Sequence, residues 1–177
     1  MTSLSSAPLN RRQFLKLGAG ASAALATVGM TATLSGCSSS RPGVGYSVLR
    51  DTDIPVVAAI MVGLVGPHPA LNQDTLQAAI DQFDTTLAWT STAVQTQVTD
   101  LLGMLSMPIT RGPMTGIWGT WDKASPAEVQ AFLQRWRDSR LDMLRQGHSA
   151  LSQLLLMAWY ATPASWAAIG YPGPPVI

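Results

Sequence analysis

Gly18, Gly20 and Ala23 stand at the spacing of the G-x-G-x-x-[GA] turn, which seats a dinucleotide pyrophosphate on a helix N-terminus. That chemistry requires a strand before the first glycine and an acidic residue about 20 positions later for the ribose. The preceding residues, Arg11-Arg12-Gln13-Phe14-Leu15-Lys16-Leu17, make a poor strand, and Leu17 to Gly36 carries no charge. A basic start followed by a mildly apolar, uncharged run is the profile of a signal peptide. Within it, Arg11, Arg12, Phe14, Leu15 and Lys16 fit a twin-arginine export signal.

The run ends in Leu34-Ser35-Gly36-Cys37, which reads as a lipobox with Cys37 diacylated and exposed as the new N-terminus. Cys37 is the only cysteine, so no intramolecular disulfide is possible. A buried apolar thiol or a reactive one are the other readings of a lone cysteine. Its position at the end of the apolar run, before Ser38-Ser39-Ser40-Arg41-Pro42-Gly43, favours the anchor. Each buried methylene of such an anchor contributes about 0.8 kcal/mol of membrane affinity. No later stretch reaches the ~18 to 20 apolar residues that span a bilayer. The expected protein is periplasmic and held on a membrane without crossing it.

Other chemistry-bearing residues form no constellation. His68 and His148 lack cysteine or carboxylate partners at metal-ligand spacing, and His68, between two prolines, reads as exposed. There is no CxxCH haem motif, no cysteine set for an iron–sulfur cluster, no P-loop and no nucleophile elbow. The mature part is therefore read as non-catalytic, without a cofactor or metal of its own. Removing Arg11, Arg12 and Lys16 from eleven basic residues leaves eight against ten acidic, which argues against nucleic acid. Charge is uneven. Asp51, Asp53, Asp74, Asp81, Asp84 and Asp100 precede Arg111, Lys123, Arg135, Arg137, Arg140 and Arg145, so the two halves are expected to attract.

The elements that must position these residues are helical throughout. The organisation reads as a signal over 1–36, a flexible tether over 37–45 and one small all-α domain over 46–177. Asp53 with Pro55 opens a helix running to about Val65. Leu76, Ile80, Phe83 and Leu87 form a second stripe, with Asp74, Gln77, Asp81 and Asp84 assigned to the solvent side. Val94, Val98, Leu101, Leu102 and Leu105 form a third, ended by Pro108. A long loop follows, with Arg111-Gly112-Pro113 and the tryptophans Trp118 and Trp121. Ser125-Pro126-Ala127-Glu128 is a capping box, and its helix is expected to reach about Gln146, where Gly147 ends or bends it. A last helical face, Leu151 to Trp159, closes at Thr162-Pro163.

On the capping-box helix, Arg140 falls within the apolar stripe of Val129, Phe132, Leu133, Trp136, Met143 and Leu144. A core-facing arginine must be paired, either with a first-half aspartate or with a carboxylate on a partner. Trp89 and Trp136 fit core positions. Trp118 and Trp121 in a loop, and Trp166 and Tyr171 flanking a tail with Pro172 and Pro174, need surface to bury against. The tail reads as stiff and extended, wrapping over its own domain or docking on a partner.

Three stretches together, Phe132-Leu133-Gln134-Arg135-Trp136-Arg137-Asp138-Ser139-Arg140-Leu141, Met157-Ala158-Trp159-Tyr160, and Trp166 with Gly170-Tyr171-Pro172-Gly173-Pro174-Pro175, resemble a known family. It is the small subunits of membrane-bound flavin dehydrogenases, including the accessory subunits of FAD-containing sorbitol, glucose and gluconate dehydrogenases. The twin-arginine leader matches too, whereas the lipobox departs from many members. The resemblance implies a catalytic partner of the glucose–methanol–choline (GMC) type that carries the FAD. That partner would cross the membrane bound to the small subunit and pass electrons to a c-type cytochrome or quinone. Trp118, Trp121, Arg140, Trp166, Tyr171, Pro172 and Pro174 are then the expected docking residues. A stand-alone envelope lipoprotein that binds an apolar ligand is the alternative, and a hydrolase with an unrecognised site a third.

Overall fold

The computed structural model describes residues 41–173. Six α-helices and no strand occur among them: α1 Ile54–Val65, α2 Gln73–Ala88, α3 Thr92–Ser106, α4 Pro108–Thr115, α5 Pro126–Arg137 and α6 Asp142–Tyr160. Short 3-10 turns follow at Trp121–Lys123, Pro163–Ser165 and Ala167–Ile169. The all-α expectation holds.

α1 has no charged side chain, and a helix apolar nearly all round belongs in the middle of a domain. Val56, Val57, Ile60 and Met61 are fully buried, and α2, α3, α5 and α6 all pack on α1. α2 and α6 make the most extensive pairing besides. Gly63 permits the closest approach of α1 to α5, since a Cβ there would stand 2.6 Å from Val129 Cγ1. Phe132 joins Trp121 and Trp136 edge-on, with ring centroids 5.9 and 4.9 Å away. Around these pack Phe83, Leu87, Leu102, Leu105, Leu155 and Trp159.

Two capping boxes start helices, Asn72 with Thr75 on α2 and Ser125 with Glu128 on α5. Asp53 occupies the cap position of α1, but its side chain makes no cap bond. It is completely buried and receives the Arg50 amide and guanidinium instead, at 2.8 to 3.0 Å. Arg50 reaches on to the Thr99 carbonyl of α3.

Four expectations are corrected here. The long loop after α3 is mostly helix: Pro108 sits at the tolerated first position of α4, and Gly116 ends it at φ 74°. The last carbonyls of α4, on Met114 and Thr115, accept from Trp136 Nε1 and Arg135 of α5. The capping-box helix stops at Arg137 rather than near Gln146, and the chain restarts at Asp142. Gly147 lies inside α6, where the missing side chain lets Trp136 approach; a Cβ would meet that ring at 3.0 Å. Asp84, assigned to solvent, is only 5 % exposed. Its carboxylate accepts the successive amides of Ser47, Val48 and Leu49 at 2.7 to 2.9 Å and so pins the segment ahead of α1. Of the stretch read as a tether, Gly43 is buried and its amide donates to Leu49.

Candidate functional site

The break between α5 and α6 rewrites the reading of Arg140. Four residues out of helical phase turn it away from the apolar stripe, and it is exposed, as is Met143. It makes no ion pair among the described residues, whose three salt bridges are Arg50–Asp53, Arg137–Asp138 and Arg145–Asp142. None of these joins the acidic first half to the basic second half. The charged side chains that are buried are others: Asp53, Asp84 and Arg111.

The tryptophans also divide differently from expectation. Trp121 is buried, its Nε1–H donating to the Leu105 carbonyl at 2.8 Å, so it belongs to the core and not to a docking surface. Trp136 is core as expected. Trp89, expected in the core, caps the C-terminus of α2 and is 87 % exposed. His68 is half-buried rather than exposed. Its Nδ1 accepts from the Ala70 amide and its ring meets Trp159 edge-on at 5.3 Å. Burial first, and then Arg137, pushes His148 below the ordinary histidine range. Among the described residues no three His, Cys, Asp or Glu side chains gather at metal-binding distance.

Two exposed apolar clusters result. The first lies on and around α4. Ile109 is 82 % exposed and Trp118 77 %, with Met104 and Met107 beside the start of the helix. Trp118 lies over Gly112, one turn after Ile109; a Cβ at position 112 would stand 2.5 to 2.9 Å from its ring. Glycine at 112 therefore sets where the indole rests. Gly112→Ala is expected to displace it, shifting one of the six indole N–H resonances in an NMR spectrum. Stability should fall by less than about 1 kcal/mol, because little of Trp118 is buried.

The second cluster closes the far end of α6. Trp166 Nε1 donates to the Tyr160 carbonyl at 2.8 Å, and its ring meets Tyr171 edge-on at 5.4 Å. Met157, Tyr160, Ile169 and Tyr171 are exposed around it, as is Pro172. The tail is not extended here. Gly170 and Gly173 adopt φ 69° and 101°, and Gly173 approaches the Trp166 ring, so the chain curls back. The structure thus brings Trp166 and Tyr171 together, leaves Trp118 and Arg140 exposed in separate elements, and withdraws Trp121. Ile109, Met157 and Tyr160 were not foreseen: Ile109 falls in what reads as a loop, and Met157 and Tyr160 on a helical face are indistinguishable from core residues by spacing. Arg11, Arg12, Phe14, Leu15, Lys16, Leu34, Ser35, Gly36, Cys37 and Pro174 lie outside the described residues.

A family model of the TAT (twin-arginine translocation) pathway signal sequence matches residues 8–33. The chain carries a twin-arginine export signal. This signal directs it across the cytoplasmic membrane, and it settles the competing readings of the N-terminus, since the glycines at 18 and 20 fall inside the matched segment. No curated protein and no solved structure matches the chain. No helix of the described residues is long and apolar enough to cross a membrane.

Proposed function

We propose that this chain is a non-catalytic subunit that binds a larger enzyme, escorts it through the twin-arginine route and tethers it outside the cytoplasmic membrane. The enzyme is an FAD-dependent sugar or alcohol dehydrogenase of the GMC type, with electrons leaving through a c-type cytochrome or quinone. One observation carries the docking role: an exported, well-packed domain displays two clusters of exposed aromatic and long apolar side chains, around Trp118 and around Tyr171. Exposed aromatics beside apolar neighbours supply the anchors that dominate protein interfaces. The resemblance of the Phe132–Leu141 and Trp166–Pro175 stretches to dehydrogenase small subunits supports the choice of partner. Cys37, diacylated, holds the assembly on the membrane.

Gentle detergent extraction followed by affinity purification of this chain tests the reading. A flavoprotein of roughly 500 to 600 residues, a multi-domain size, is expected to co-purify with flavin absorbance near unit stoichiometry. Trp118→Ala combined with Tyr171→Ala should reduce its recovery at least tenfold without altering the helical spectrum of the domain. Recovery of the chain alone from membranes that contain such a flavoprotein would refute the proposal.

A further inference from the structure

Among the described residues, Arg111 is the one buried charged side chain whose burial the fold does not account for. It lies on α4, is only 8 % exposed, and its Nε is sealed from solvent with no hydrogen-bond partner. No ion pair reaches it among the described residues. A buried guanidinium left alone costs several kcal/mol in principle, so an anion beside it is strongly favoured.

The side chain lines a cleft of about 180 Å³ with Thr52, Ser106, Thr120 and Asp122. Asp122 does not supply the missing anion. Its fully exposed carboxyl is held below the ordinary range chiefly by the Thr120 side chain and by its own backbone amide, while Lys123 and Arg111 add weaker attraction. Asp122, which lines the same cleft, makes no ion pair with Arg111, so the guanidinium is left there without a direct anionic partner.

The same cleft opens onto an apolar groove. Pro55, Trp121 and Asp122 line both, and the groove of about 370 Å³ continues along α1 past Ile54, Ala58 and Val62 to Val129 of α5. Its shared wall is rigid, because the Trp121 ring is fixed by the Leu105 carbonyl. An unpaired cation at one end of an apolar trough is complementary to an amphiphile with an anionic head. We propose that this domain binds a small amphiphilic carboxylate, its head group at Arg111 and its hydrocarbon chain along α1. The site uses none of the exposed side chains of the two aromatic clusters, although Arg111 shares α4 with the first, and it does not depend on the docking role.

Titration calorimetry of the full-length Cys37→Ser chain, which carries no acyl anchor and is purified without detergent, against sodium octanoate, 1-octanol and sodium acetate tests this. Octanoate is expected to bind one to one, with octanol and acetate each at least tenfold weaker because each lacks one half of the match. Arg111→Met keeps the side-chain volume and removes the lone charge. It should bring octanoate down to the affinity of octanol while leaving the melting temperature equal or higher. Ala59 also lines the groove, and Ala59→Trp should exclude both chain-bearing ligands. Equal binding of octanoate and octanol, unchanged octanoate affinity in Arg111→Met, or no saturable binding of octanoate would each overturn the proposal. The comparison of ligands on the Cys37→Ser chain stands even if Ala59→Trp fails to fold.

Discussion

Asp84→Ala is expected to destabilise the domain by about 2 to 4 kcal/mol, a large share of the ~5 to 15 kcal/mol that holds a typical domain folded. The carboxylate accepts three consecutive amides, and an ionised acceptor makes each bond stronger than a neutral one would. Removing it does not cost the three equally. Ser47 is exposed, so water replaces the lost partner there, and Val48 is half-buried. Leu49 is completely buried, and its amide would be left without a partner at a cost of ~1 to 3 kcal/mol. The space left by the buried carboxylate adds to this. Asp84→Asn retains one acceptor oxygen and should lose about half as much. Urea unfolding reads both: the midpoint should fall with the slope unchanged. A loss under about 0.5 kcal/mol in Asp84→Ala would mean that the segment ahead of α1 is not held this way.

The second large effect concerns export. Arg11→Lys with Arg12→Lys preserves the positive charge and approximate length of the basic start, so any role of bulk charge survives. What it removes is the planar, forked donor set of two guanidinium groups, which lysine cannot reproduce. A signal read by a receptor as an address depends on that identity rather than on charge alone. The exported fraction is therefore expected to fall at least tenfold by cell fractionation. The substitutions lie in the matched segment 8–33, ahead of the described domain, so the melting temperature should not change. Arg41→Lys, outside that segment, is the control and should be exported normally.

How far the sequence spoke depended on whether a signal was local. The Ser125–Glu128 capping box and the stripes of α2 and α3 were legible because cap and periodicity lie within a few residues of one another. α4 was missed because Pro108, Pro113 and Gly112 read as breakers. Pro108 occupies the one helical position that needs no amide, and the donors that satisfy the end of α4 come from α5, far along the chain.

The buried charges were misassigned for related reasons. Asp84 stands with Ile80, Phe83 and Leu87 at i, i+3, i+4 and i+7 spacing, so its place on the buried face was visible. The assumption that aspartate faces water hid it, since its three partners belong to an irregular segment 35 to 37 residues away. Arg140 was placed in the core by extending one helix through Asp138–Leu141, where the chain breaks. Residues 138–141 are not helical, so the residues after Arg137 no longer follow the 3.6-residue phase of α5. Of the expected docking residues, Trp166 and Tyr171 were singled out as flanking an extended tail, and their ring contact was not legible because it depends on the turn at Gly170. Trp121 was not separable from Trp118, because only the fold shows which indole finds a carbonyl.

The central claim is that the twin-arginine signal serves a partner as well as its own chain. Locating the proposed flavoprotein partner in cells that carry Arg11→Lys with Arg12→Lys tests it most directly. The account predicts that both proteins remain inside the cytoplasmic membrane, with flavin-dependent dehydrogenase activity lost from the outer face. Retention of this chain while the flavoprotein is exported in normal amount would contradict it.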